Sequence, residues 1–66
     1  MYFEDGKTYI FSKEVFYKVM GIDPNIYENS NIWFNNIDGL EVNVNSINLG
    51  FIKHYQILPN WCKEMK

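Results

Sequence analysis

The sequence predicts a small α+β fold, either a bent antiparallel sheet or an SH3-like barrel, with one short helix packed on it. Three observations support this prediction: one short helix with strong capping signals, several short runs rich in β-branched and aromatic residues, and a length of only 66 residues. A chain of this length forms a single domain, here residues 1–66, and its strands must curl to bury a shared face. An open three- or four-stranded sheet with the helix on one face is the alternative architecture.

The N-terminal third of the chain predicts a strand followed by the helix. Residues 7–11 form a β-branched and aromatic run, which suits a short strand. Ser12 is a suitable N-cap for a helix over residues 13–20, because its hydroxyl can accept a bond from an unpaired backbone N–H. Gly21 follows, where a left-handed residue commonly ends a helix. We expect one apolar stripe of this helix to face the sheet: Val15, Phe16, Val19 and Met20.

The central part of the chain predicts a β-hairpin. Residues 32–37 suit an extended segment, which would place Trp33 and Phe34 on opposite faces. The Asp-Gly pair at residues 38–39 predicts a two-residue turn, since the favoured turn needs positive φ at both positions. The partner strand covers residues 40–44. Its alternation is expected to point three residues towards the core: Leu40, Val42 and Val44.

The last predicted strand covers residues 51–58. Pro59 ends this strand because proline has no backbone N–H to donate to a sheet. Residues 60–62 then form a closing turn before a charged tail.

The composition excludes several classes of protein. Six Lys, no Arg and eight acidic residues give a net charge of −2, whereas nucleic-acid-binding domains usually show a basic surface. The single cysteine cannot form an internal disulfide, and the four glycines make no phosphate-binding loop. No apolar run approaches the roughly 20 residues that span a bilayer, and the acidic N-terminus is unlike a signal peptide. We therefore expect a cytoplasmic protein with no cofactor and no membrane partner.

His54 and Cys62 are the residues best suited to covalent or acid–base chemistry. Together they could act as a base and a nucleophile. However, His54 lies on a predicted strand beside Tyr55, and Cys62 follows Trp61, where a small buried apolar side chain is expected. One His, one Cys and scattered carboxylates also lack the spacing of metal ligands. We expect neither enzymatic activity nor a metal site.

The aromatic residues are the main candidates for a binding surface. The chain has twelve (two Trp, five Tyr and five Phe), and so small a domain has few positions that enclose a ring completely. Tyr17 lies off the apolar stripe of the helix, Tyr27 lies in an asparagine-rich segment, and one of Trp33 and Phe34 should point away from the core. Tyr and Trp are enriched at protein interfaces, and nearby Glu28 would tune the choice of partner.

Several motifs of the chain resemble those of one group of proteins. They are Lys-Thr-Tyr-Ile-Phe-Ser-Lys-Glu at residues 7–14, a Trp, the Asp-Gly pair at residues 38–39, and Pro-x-Trp-Cys at residues 59–62. This pattern resembles small uncharacterised phage and prophage proteins of Gram-positive bacteria. High Asn, Ile, Tyr and Lys content without Ala or Arg also fits a low-GC genome. The resemblance implies an accessory protein of a class that includes inhibitors of host defence systems, and it implies no catalytic residue.

The leading hypothesis is a non-enzymatic module that binds a host or phage protein and acts by steric inhibition. Tyr17, Tyr27, Trp33, Phe34 and Glu28 form its expected binding surface. Two alternatives remain open at this point. An SH3-like nucleic-acid-associated protein would stack bases on the aromatic rings, although nucleic acid is disfavoured by the acidic charge. A small subunit could instead complete its core by forming a homo-oligomer, because no disulfide or metal compensates for its size.

Overall fold

The computed structural model describes residues 2–27 and 30–65, and within these ranges the chain has an α+β fold. The helices are α1 (Lys13–Met20), α2 (Pro24–Tyr27) and α3 (Trp33–Asn36), with a 3-10 turn at Pro59–Trp61. The strands are β1 (Thr8–Phe11), β2 (Asn43–Ser46), β3 (Leu49–Ile52), β4 (Tyr55–Ile57) and β5 (Cys62–Met65). The fold class predicted from the sequence is confirmed. The expected helix is α1, and two further short helices, α2 and α3, accompany it.

Helix α1 begins and ends where the sequence predicts. The Ser12 hydroxyl accepts a hydrogen bond from the Val15 N–H at 3.3 Å. Gly21 adopts a left-handed conformation with a φ of 68°, and its N–H donates to the Tyr17 carbonyl. These two caps satisfy backbone groups that the helix itself leaves unpaired. Both predicted caps are therefore confirmed.

The face that α1 buries differs from the predicted stripe. Phe16 and Tyr17 are buried, whereas Val19 and Met20 are exposed. Met20 lies one turn beyond Phe16 on the same side of the helix, so it continues the buried face past the edge of the core. The expectation that Val19 and Met20 face the sheet is wrong, because α1 packs its Phe16 and Tyr17 side chains into the core and leaves Val19 and Met20 exposed.

Residues 32–37 contain a helical turn instead of the predicted strand. The Ile37 N–H donates to the Trp33 carbonyl at 3.2 Å. In this conformation the rings of Trp33 and Phe34 both contact Phe16, with centroid distances of 5.4 and 5.0 Å. An extended segment would place these two rings on opposite faces. Packing against α1 therefore outweighs the local preference for a strand.

The strands form two small antiparallel sheets, which do not close into a barrel within the described residues. β1 pairs with β5, and β2, β3 and β4 form a meander in that order. Residues 39–42 join the sheets: the Val42 N–H donates to the Tyr9 carbonyl of β1 at 2.9 Å. The predicted strand over residues 40–44 is thus divided between the two sheets. Its first part lies beside β1, and its second part begins β2.

The predicted strand over residues 51–58 folds back on itself. A turn at residues 53–54 separates β3 from β4, and Lys53 takes a positive φ of 56° there. Ile52 pairs with Tyr55 across this turn. The reversal lets both Ile52 and Ile57 reach the core, where each is buried.

The core is one cluster of mostly aromatic side chains. Its buried members are Phe3, Tyr9, Phe11, Phe16, Tyr17, Phe34, Ile37, Val42, Ile52, Ile57 and Cys62. Phe16 lies at the centre, with its ring centroid 4.9 to 5.7 Å from those of Phe11, Trp33, Phe34 and Trp61. Within the ranges described, no helix combines the length and apolar character needed to cross a membrane.

The close approach of Val42 to Gly50 decides how the three-stranded sheet joins the core. Of the three residues predicted to face the core, Val42 is buried, but Leu40 and Val44 are exposed. A Cβ at Gly50 would overlap Cγ1 of Val42 and would lie 3.3 Å from the Phe3 ring. The space that Gly50 leaves open therefore allows Val42 and Phe3 to pack over β3.

We expect Gly50→Ala to lower the free energy of unfolding by about 1–3 kcal/mol, because its methyl group overpacks this contact. Urea denaturation followed by tryptophan fluorescence measures the loss. In a Val42→Ala background the methyl group has room, so the same substitution should cost less. An equal cost in both backgrounds would contradict the proposed contact.

Candidate functional site

Two residues of the predicted binding surface are core residues. Tyr17 and Phe34 are only 6% and 4% exposed. Their rings pack edge to face with centroids 5.6 Å apart, and the Tyr17 hydroxyl donates to Oδ1 of Asn35 at 3.1 Å. The expectation that Tyr17 stands outside the core is wrong, because α1 buries its Phe16–Tyr17 side. Of the pair Trp33 and Phe34, Phe34 is the buried member.

The other predicted residues lie at the edge of the same aromatic cluster or outside the described residues. Tyr27 is half-buried, and its ring lies 5.6 Å from that of Phe34. Trp33 is also half-buried and stacks on Tyr55 at a centroid distance of 5.5 Å. Glu28 lies outside the described residues. A binding role for Tyr27, Trp33 and Glu28 stays a prediction, but the aromatic residues do not form a free surface together.

Cys62 is held as a protonated thiol. It is buried, and its thiol donates a weak hydrogen bond to the Leu58 carbonyl at 3.4 Å. Burial raises the pKa of the Cys62 thiol from its usual 9.0 to about 12, because the thiolate would lose its hydration. A nucleophilic cysteine needs the thiolate, so this position suits packing.

His54 lies apart from this chemistry, at the exposed turn between β3 and β4. Its ring lies against Tyr55 with a centroid distance of 4.2 Å. Across residues 2–27 and 30–65, no hydrogen bond links His54 to Cys62, and no three His, Cys, Asp or Glu residues come together as metal ligands.

A groove opens between the N-terminal segment and the hairpin of β2 and β3. These two parts of the chain run antiparallel and are hydrogen-bonded at both ends of the opening. At one end the Phe3 N–H donates to the Ile47 carbonyl at 2.7 Å, and at the other the Val42 N–H donates to the Tyr9 carbonyl at 2.9 Å. Between these bonds the segments separate, leaving a groove of about 390 Å³ lined by residues 3–7 and 44–47. We call this opening the N-terminal groove.

A turn in the N-terminal segment holds the groove open. Gly6 takes a left-handed φ of 79°, and the Lys7 N–H donates to the Glu4 carbonyl at 3.3 Å. The Glu4 N–H donates in turn to the hydroxyl of Tyr9 at 2.9 Å, so a buried ring anchors the turn. The segment between the two end bonds therefore bends away from β2 instead of extending its ladder.

The rim of the N-terminal groove is acidic. Nζ of Lys7 lies 2.7 Å from Oε2 of Glu4 and 3.0 Å from Oε1 of Glu64. Hydrogen bonds and charge attraction from these two carboxylates raise the pKa of Lys7 above its usual range. Asp5 also lines the groove, so the described rim residues provide three carboxylates and one ammonium, and together they carry a net negative charge.

Apolar side chains stand exposed beside this acidic rim. Val44 and Ile47 line the groove and are 45% and 63% exposed, and Tyr2, next to Phe3, is also exposed. The alternation of residues 40–44 predicts Val44 in the core, and Ile47 is not among the predicted binding residues. The signal available for Ile47 was an isolated apolar residue within the polar run Asn-Ser-Ile-Asn, the same kind of signal that selected Tyr27.

A second exposed apolar group lies on the helical side of the molecule. Its members are Val19, Met20 and Ile26. Two of them lie on the last turn of α1, and Ile26 lies on α2 with an exposed fraction of 68%. These residues lie on different elements from the N-terminal groove, and they provide a comparison surface of similar chemistry.

No protein-family model, no curated protein sequence and no solved structure matches the chain. The candidate site is therefore defined by its own geometry. That geometry combines an interrupted strand pairing, exposed apolar side chains and an acidic rim, all within residues 3–7 and 44–47 with Glu64 beside them.

We expect the Cys62 thiol to resist alkylation in the folded protein, because burial suppresses the thiolate. Iodoacetamide labelling at about pH 8, followed by mass spectrometry, should be slow in buffer and fast in concentrated urea. The unfolded thiol loses its proton above its usual pKa of 9.0, whereas the folded thiol keeps it until about 12. The free energy of unfolding should therefore fall as pH rises through this window.

The matched control for this pH dependence is Cys62→Ala, which lacks the titrating thiol. Its free energy of unfolding should fall less steeply over the same pH range. Equal labelling rates in the folded and unfolded protein would show that the thiol is accessible and would contradict its placement in the core.

Proposed function

We propose that this chain is a non-enzymatic protein-binding module and that the N-terminal groove is its binding site. The observation that carries this proposal is the open edge of β2, flanked by exposed Val44 and Ile47. Exposed strand edges readily accept another chain, and natural proteins usually protect them. Here the N-terminal segment approaches that edge and then turns away, so the edge stays accessible.

The state of the reactive side chains supports a binding role over a catalytic one. Cys62 is buried and protonated, and its sulfur is directed to the Leu58 carbonyl. His54 contacts the ring of Tyr55 on the exposed turn. A nucleophile and its base must lie within hydrogen-bond reach of each other, and these two side chains point to different surroundings.

The specific form of this proposal is a phage- or prophage-encoded inhibitor that acts in the host cytoplasm. It would occupy the surface of a host protein, such as a component of a defence system, and block it sterically. Support for this form comes from the resemblance of residues 7–14 and 59–62 to small phage and prophage proteins. The acidic rim supports a protein partner over nucleic acid, because a phosphate backbone would be repelled by it.

Self-association is a second candidate function, and it has an observation of its own. Val19, Met20 and Ile26 are exposed on α1 and α2, and a pair of such faces could cover one another. Light scattering coupled to size-exclusion chromatography separates this candidate from a monomeric binder.

We expect Ile47→Glu to abolish partner capture, because a charge would replace an exposed apolar contact at the groove. Ile26→Glu is a matched control, since Ile26 is 68% exposed and Ile47 is 63% exposed. Both substitutions lie at the surface and should change the free energy of unfolding by only about 0.5 kcal/mol or less. The measurement is quantitative capture of the same host protein by each immobilised variant.

Capture of one protein by the wild-type chain and by Ile26→Glu, but not by Ile47→Glu, is the expected result. Loss of capture only with Ile26→Glu would move the binding site to the helical side. A wild-type chain that captures no protein would contradict the proposed function.

A further inference from the structure

We propose that the N-terminal groove binds a basic peptide segment in extended conformation, which adds as a strand to the outer edge of β2. This inference rests on the proposed function and specifies its partner. The interaction would combine backbone hydrogen bonds to β2, apolar contacts with the exposed side chains of the groove, and attraction between the basic segment and the acidic rim.

The backbone of Val44 offers the first of these contacts. The Val42 N–H points to the outer side of the strand, where it donates to the Tyr9 carbonyl of β1. Backbone groups of residues two apart in a strand point to the same edge, so the N–H and carbonyl of Val44 point into the groove. The neighbouring Asn43 pairs with Phe51 of β3 on the opposite side.

The N-terminal segment does not occupy these groups. Among the described residues, no backbone hydrogen bond joins residues 4–8 to residues 43–46. The Glu4 N–H donates to the Tyr9 hydroxyl and is therefore not available to an acceptor on β2. The pairing is thus interrupted along β2. The register of β2 against β3 shifts between Val44 and Ser46, so Val44 is the residue of this edge with which a short extended peptide would pair.

The side chains around the opening specify the composition of that peptide. Phe3 lies at the base of the groove, and Val44 and Ile47 stand exposed at its wall, so apolar side chains of the peptide would find contacts there. The rim carries Glu4, Asp5 and Glu64 against the single charge of Lys7. Among the described residues these four side chains, three carboxylates and one ammonium, carry a net charge of −2, which complements a segment with alternating Lys and apolar residues.

The test uses a capped hexapeptide of alternating Lys and Val, with an alternating Glu and Val peptide of the same length as its charge-reversed control. A third peptide carries N-methyl groups on every residue of the Lys–Val sequence, which removes the backbone N–H donors from both of its edges and keeps its charge. Each peptide is titrated into isotope-labelled protein, and the backbone amide resonances are monitored by NMR. The affinities are measured by calorimetry at low and moderate salt.

We expect the Lys–Val peptide to bind with its largest shift at the Val44 amide. The affinities of the Glu–Val and N-methylated peptides should each be lower by a factor of about ten or more. Asp5→Asn should weaken Lys–Val binding, whereas Glu14→Gln, which removes the same charge on α1, should leave it unchanged. Both residues are exposed, so neither substitution should disturb the fold.

Three results would overturn the strand-addition proposal: an unperturbed Val44 amide, equal binding of the Lys–Val and Glu–Val peptides, or equal binding of the N-methylated peptide. A peptide-free dimer that protects the Val44 amide would also overturn it, because a second copy would then occupy the edge. If the peptides fail but Ile47→Glu still abolishes capture of a host protein, only this inference fails. If capture by the wild-type chain is absent as well, the proposed function fails with it.

Discussion

The hydrogen bonds between β1 and residues 39–42 hold the two halves of the structure together. The Phe11 N–H donates to the Leu40 carbonyl, and the Val42 N–H donates to the Tyr9 carbonyl, at 3.0 and 2.9 Å. Without them the β1–β5 pair and the three-stranded meander would be separate small sheets, and an isolated two-stranded pair is only marginally stable in water. The groove exists because this pairing stops at Tyr9 and resumes only at Phe3.

A second constraint is the density of aromatic rings around Phe16. Four rings lie with centroids within 5.7 Å of it, contributed by β1, α3 and the 3-10 turn. Aromatic pairs contribute about 0.5–1.5 kcal/mol each beyond the area they bury, which matters in a domain with no disulfide. The chain therefore uses its many rings to build a core, and only Tyr2 among those described is largely exposed.

This use of the rings changes where a binding surface can lie. Tyr17 and Phe34 are part of the core, so replacing either residue would lower the stability of the fold and would not test a contact with a partner. The groups that a partner can reach lie instead on the edge strand β2, whose four residues are all exposed, and on the charged turn beside it. Binding through a strand edge also requires no deep cavity, which suits a chain of this length.

The candidate site was largely hidden from the sequence. The pair Asp5-Gly6 is typical of a turn, but nothing local shows that this turn lies opposite β2, because the two segments are about 40 residues apart. Alternation predicts Val44 in the core together with Val42, although only Val42 packs closely against Gly50 and Val44 is exposed. The exposure of a strand residue depends on which other elements pack against that face of the sheet. The alternation of apolar residues along the strand does not contain this information.

What the sequence determined by itself was the set of features that arise from neighbouring residues. Ser12 and Gly21 define the two ends of α1 through contacts within four residues of each helix end. The capped helix and the β-branched and aromatic runs were sufficient for the α+β class. Tertiary structure decided the rest: α3 is helical because Trp33 and Phe34 must reach the same side of Phe16, and α1 buries Tyr17 because Phe34 lies against it. Those choices depend on long-range packing, whose free energy exceeds the small local preferences that the sequence pattern reports.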